Sequence, residues 1–157
     1  MKGTKGLNNV RAKGELTVIH IDKDGKELAR DIYKNLVVDT GKNVGIQQIV
    51  GAAGGGAQPA KFNYIGIGTD DTAPAAGDTV LGTQVGTREQ DTDPSFPSTG
   101  KGEIEVTFAA GNGTGTIEET GLFNAAGGGT MYARALIGPY VKAAEDALIV
   151  TWRPGLL

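Results

Sequence analysis

The sequence predicts an all-β protein: an antiparallel β-sandwich or partly open barrel with one short α-helix and an extended N-terminal arm. Three observations carry this reading. Apolar runs of strand length recur along the chain, separated by Gly, Pro and Asn clusters. Glycine makes up 26 of 157 residues, well above its usual share of roughly 7%, and it punctuates the apolar runs, which marks turns between strands. The densest apolar region is the last third, Glu118 to Trp152, so that stretch is expected to supply the core.

Residues 1–14 form the expected arm and residues 15–157 a single β-rich domain. Met1 to Gly14 contains Lys2, Lys5, Arg11 and Lys13, no acidic residue, and only Leu7 and Val10 as sizeable apolar anchors after Met1. Such a segment cannot bury enough surface to order itself. It is either a frayed terminus or an arm that orders against a partner. Glu15 to Asp22 alternates as a strand, with Leu16, Val18 and His20 on one face. Asp22-Lys23-Asp24-Gly25 reads as a hairpin turn, because Asp-Gly tolerates the positive φ that tight hairpins need. It lacks the later ligands of a calcium loop. Glu27 to Lys34 returns as the partner strand, with Leu28, Ile32 and Tyr33 as its larger apolar groups.

Asn35 to Val38 continues extended. Asp39 or Thr40 is expected to cap a helix over Gly41 to Val50. Ile46, Ile49, Val50 and Ala53 recur at helical spacing and are expected to pack on the sheet. Lys61 to Ile67 and Thr83 to Glu89 read as strands, with a surface excursion over Asp70 to Gly82. Gln90 to Gly102 carries Pro94 and Pro97 and reads as an exposed loop, where partner contacts often lie. Phe96 within it either contacts a partner or packs on its own domain. Glu103 to Phe108 alternates cleanly, with Ile104, Val106 and Phe108 facing in. The last third then holds consecutive strands around the Gly127-Gly128-Gly129 turn, with a Gly138-Pro139 break and a final run Ala147 to Trp152.

No catalytic constellation is visible. His20 is the only histidine and sits mid-strand, where a packing role is the simplest reading. No second His or any Cys stands ready to complete a metal site with it. Ser95 and Ser98 lack a Gly-x-Ser-x-Gly elbow. Glu103 and Glu105 share the outer face of one strand, the ordinary solvated pattern. Arg134 lies inside a strand, either on the solvent face or paired with Glu118 or Glu119 across the hairpin. Trp152 is expected in the core. The chain is therefore expected to act by binding and assembly, without a cofactor. A net charge of −3 argues against bulk nucleic-acid binding. No apolar run is long enough for a membrane helix, and no apolar segment of the signal-peptide kind follows Met1-Lys2.

Several motifs carry a family resemblance. They are Glu119-Thr120-Gly121-Leu122-Phe123-Asn124, Gly129-Thr130-Met131-Tyr132-Ala133-Arg134, then Lys142 and Leu148-Ile149-Val150-Thr151-Trp152. Upstream stand Asn35-Leu36-Val37-Val38 with Gly41-Lys42, Ile65-Gly66-Ile67-Gly68-Thr69, Thr72-Ala73-Pro74, and Asp78-Thr79 with Leu81-Gly82-Thr83. In this order they resemble small virion proteins of tailed bacteriophages, tail-collar fibre proteins included. The resemblance implies a non-enzymatic virion component. The sequence stops at Arg153-Pro154-Gly155-Leu156-Leu157, where a fibre would continue, so a capsid decoration (cement) protein is the expected member. Such proteins clamp neighbouring subunits of the major capsid protein on the outer capsid surface and are often homotrimers. The implied partner contacts are Lys2, Lys5, Leu7, Val10, Arg11, Lys13 and Phe96, and the chain would be made in the bacterial host cytoplasm. A tail-associated module, at a fibre base or tail tip, is the alternative. A carbohydrate-binding β-module is a third reading, with Phe96, Tyr64 and Tyr140 as its candidate aromatics.

Overall fold

A computed structural model describes residues 12–51 and 56–156. Two five-stranded antiparallel sheets pack face to face. In chain order the strands are β1 (Ala12–Ile21), β2 (Glu27–Lys34), β3 (Leu36–Val37), β4 (Tyr64–Gly68), β5 (Gln84–Gln90), β6 (Ser95–Ser98), β7 (Lys101–Phe108), β8 (Gly115–Phe123), β9 (Met131–Lys142) and β10 (Ala147–Leu156), with helix α1 (Asp39–Val50) between β3 and β4. The first sheet runs β2-β1-β10-β7-β6 and the second β3-β9-β8-β4-β5. The architecture is a sandwich, not a closed barrel.

Strand alternation builds the core directly, because successive side chains point to opposite faces. Pairing places Leu16, Trp152 and Ile104 in one row, Val18, Val150 and Val106 in the next, and His20, Leu148 and Phe108 in the third. All nine side chains are buried. Facing them from the second sheet are Ile65, Ile67, Ile117, Leu122, Ala133, Ala135 and Ile137. Trp152 lies fully within this core.

The two outer faces differ. The second sheet is covered by α1 and by the strap of chain from Thr69 to Thr83. Val38, Leu81, Phe123 and Met131 form a separate small core beneath them. Among the described residues no helix or strand covers the outer face of the first sheet, and Glu15, Ile32, Glu105 and Thr107 lie exposed on it.

Helix α1 sits differently from its expected placement. Ile46, Ile49 and Val50 face solvent, at 53%, 66% and 73% exposure; Ala53 lies outside the described residues. The helix contacts β9 through Gly41, its only buried residue. A Cβ at Gly41 would collide with the Tyr132 backbone, so only glycine permits the close approach. Gly45, one turn on, faces the Tyr132 ring. The apolar triplet therefore lies away from the packing face. The cap also differs. Val38 precedes the helix without a side-chain cap, and the Val38 and Asp39 amides donate to Tyr132 and Ala76 carbonyls instead.

Strand limits differ where pairing outweighs composition. β1 starts at Ala12, because Ala12, Lys13 and Gly14 pair with Leu156, Gly155 and Pro154. Gly138-Pro139, a cis peptide, does not break β9. Within the expected Gln90 to Gly102 loop, Ser95–Ser98 forms the edge strand β6. The Asp22 to Lys26 hairpin is as read: the Asp22 side chain accepts from the Asp24 and Lys26 amides, and Gly25 takes φ +80.

Candidate interaction surfaces

Polar clusters beneath the surface hold the fold together. Arg134 on β9 and Glu119 on β8 are diagonal neighbours, since Gly121 pairs with Arg134 and Glu119 with Leu136. Both are buried. Arg134 Nε donates to Glu119 Oε2 at 2.8 Å, Nη1 to Asp78 at 3.0 Å and Nη2 to Asp70 at 3.1 Å. Glu119 also accepts the amides of Gly82 and Thr83 at 3.0 and 2.8 Å. Burial alone would lower the Arg134 pKa, but its bonds to Glu119 and Asp78 raise it on balance. Asp70 is held below its ordinary value, chiefly by the Thr72 amide and side chain and further by Arg134. One cation thus ties both ends of the Thr69–Thr83 strap to the sheet. It lies under the strap, not on the solvent face, and its partner is Glu119.

A second cluster sits between the sheets. His20 Nε2 meets Asp146 Oδ2 at 2.9 Å, and Asp146 also accepts the Ala143 amide. These bonds hold Asp146 below the ordinary carboxylate value. Tyr140 donates to Asp31 at 2.7 Å and bonds Tyr33 at 2.7 Å. Burial, then these two partners, push the Tyr140 phenol far up. These side chains are committed to one another. His20 is a satisfied core residue, as its strand position implied.

A third cluster lines an open cleft of about 350 Å³ beside β6 and β7: Asp91, Asp93, Ser95, Glu103 and Glu105. Asp91 accepts the amides of Asp93 and Glu105, Thr151 donates to Glu105, and Arg153 to Glu103. Among the described residues, no cluster of three or more such side chains is arranged to hold a metal ion. In each cluster a backbone or side-chain bond already engages most of the polar groups.

The surface also presents large apolar side chains. Phe96 on β6 is 83% exposed; it does not pack on its own domain, because all four residues of this edge strand stand clear. Leu28 and Ile32 are exposed on β2 at the opposite edge of that sheet. Of the expected contact residues, Lys2, Lys5, Leu7, Val10 and Arg11 lie outside the described residues. Lys13 is exposed but paired within β1. Of the candidate sugar-stacking aromatics, Tyr140 is buried and Tyr64 partly so; their rings support the core, which leaves Phe96 alone.

The residues missed in sequence are Ile46, Ile49 and Val50 as surface groups. A signal was present. Gly41 and Gly45, four apart, lie on one helix face, and glycine permits the close backbone approach seen at Gly41. No family model, curated protein or solved structure matches the chain.

Proposed function

We propose that this chain is a structural component of a bacteriophage virion: a capsid decoration, or cement, protein that binds the assembled head lattice and stabilises it. The observation that carries the proposal is the division of labour in the fold. Arg134, Glu119, His20, Asp146 and Tyr140 are engaged in buried polar contacts, while apolar side chains stand exposed on α1, β2 and β6. A protein that acts by being bound shows this pattern.

The motifs that resemble virion proteins support the same class. Several of them lie far apart in sequence and meet at one place. Asp78, Gly82 and Thr83 on the strap bind Arg134 and Glu119, Leu81 fills the small core, and Gly68 leaves no room for a Cβ beside Glu119. The resemblance therefore follows a scaffold. The physical logic of the function is mass action: a clamp that binds only the assembled lattice stabilises it, and many identical sites let weak contacts suffice.

The test is to mix the purified protein with expanded, undecorated heads of the parent phage and image them by electron microscopy. Regular density at lattice symmetry axes is the expected result. Bare heads, with density only when tails are supplied, would overturn the proposal in favour of a tail-associated module. The companion deletion removes residues 1–11 and keeps the described β1–β10 pairs from Ala12↔Leu156 onward. Reduced occupancy of that variant is expected if the basic segment contacts the major capsid protein.

A further inference from the structure

We infer that Asn112 is a deamidation site that the fold holds closed, and that its conversion to a carboxylate releases the edge strand β5. The inference concerns a covalent modification and is independent of the virion reading.

The sequence supplies the chemistry. Asn112-Gly113 is the only Asn-Gly step in the chain; every other Asn is followed by a residue that carries a side chain. With no Cβ on Gly113 to hinder it, its backbone nitrogen can attack the side-chain carbonyl carbon of Asn112. The new C–N bond closes a succinimide ring, the Cγ–Nδ2 bond breaks, and the Gly113 amide proton leaves with Nδ2 as ammonia. Water then opens the ring at either carbonyl and leaves an aspartyl or an isoaspartyl linkage at that position.

The structure supplies the latch. β5 is an edge strand of its sheet. Between the Ile65–Glu89 and Ile67–Val85 pairs, residues 86–88 stand opposite the single Gly66, so this bulge leaves Thr87 without a paired β4 residue. Asn112, in the turn between β7 and β8, takes that place. Its Oδ1 accepts the Thr87 amide at 2.9 Å, and its Nδ2 donates to the Thr87 carbonyl at 3.2 Å and to Glu89 Oε1 at 2.5 Å. Gly86 permits the approach, since a Cβ there would strike Asn112 Oδ1 and the Gly113 nitrogen. While these bonds stand, the Asn112 side chain is fixed on β5, and cyclisation waits for a local opening. Conversion then removes the latch. A carboxylate has no hydrogen to donate, so the Thr87 carbonyl loses its partner and a negative charge is set against Glu89.

The experiment incubates the purified full chain in warm, mildly alkaline buffer, native and unfolded in guanidinium chloride, and follows the fragment containing Asn112 by peptide mass spectrometry. The unfolded chain is expected to deamidate there, and the native chain to do so more slowly by about tenfold or more, because the Asn112 bonds must first open. Glu89→Ala, which removes one of those bonds, is expected to raise the native rate severalfold. An unfolded chain that does not react at Asn112, equal rates in the native and unfolded chains, or a native rate that Glu89→Ala leaves unchanged overturns the inference. A second readout does not wait for the reaction. Asn112→Asp carries the converted side chain from the start. Hydrogen exchange at the Thr87 amide is expected to quicken by about tenfold while amides of the β1–β10 ladder keep their rates, and adding Glu89→Gln is expected to return part of the protection. Unchanged exchange at Thr87 overturns the release of β5.

Discussion

Replacing Arg134 by Met tests what holds the outer layer to the second sheet. Arg134 and Glu119 are both buried, and Arg134 also binds Asp70 and Asp78 on the strap. Met keeps the length of the side chain and removes the charge. Glu119 is fully buried and would keep the Gly82 and Thr83 amides but lose its cation. Removing one partner of a buried pair costs about 3–5 kcal/mol, because an uncompensated charge remains. Against a total stability of about 5–15 kcal/mol, that is a large share. At roughly 2–4 °C per kcal/mol for a chain of this size, Tm is expected to fall by roughly 6–20 °C. Urea unfolding followed by far-UV circular dichroism gives the free energy, and hydrogen exchange at Gly82 and Thr83 gives the local effect. Adding Glu119→Gln should return part of the loss, so that the two changes together cost less than their sum by about 1 kcal/mol or more. A loss below about 1 kcal/mol in Arg134→Met, against the buried-pair expectation, with unchanged exchange at both amides, would refute the reasoning: the strap would then be held without the help of the Arg134 bonds.

Two further perturbations follow from the same geometry. Gly41→Ala and Gly45→Ala should act in opposite directions. Alanine at Gly45 meets only the edge of the Tyr132 ring at 3.9 Å and should stabilise the helix by up to about 1 kcal/mol, whereas at Gly41 it strikes the Tyr132 backbone and should cost about 1–3 kcal/mol; paired thermal melts decide it, and equal signs would sink the packing account. Asp146 is held below its ordinary value of 3.8 by His20 and the Ala143 amide. Its contribution is therefore present above that value and lost as pH falls through the lower folded value, so Tm measured from pH 7 to pH 2 should fall less steeply in Asp146→Asn below about pH 4, and parallel curves would contradict the assignment.

The β architecture was legible in the sequence because strand periodicity is local. Alternation in Leu16-Thr17-Val18 and Ile104-Glu105-Val106 reports which side chains face the core, whatever lies opposite. The Asp22 to Gly25 turn is similarly local, since its geometry depends on its own residues. Pairing limits are not local. Ala12 to Gly14 look like arm residues until Pro154 to Leu156 are laid beside them, and Ser95 to Ser98 look like loop until β7 offers a ladder. The same distinction separates the two helix faces. Spacing alone assigned Ile46, Ile49 and Val50 to the interior, because an apolar stripe reports that something will cover it and not what. The position of Tyr132 decided that Gly41 faces β9 and that the stripe faces out. Arg134 shows the boundary most plainly. A diagonal partner on β8 was within reach of sequence reasoning, since hairpin neighbours follow from the turn. That Asp70 and Asp78 close on the same guanidinium depends on a strap folding back across the sheet, a contact between distant segments that no local pattern encodes.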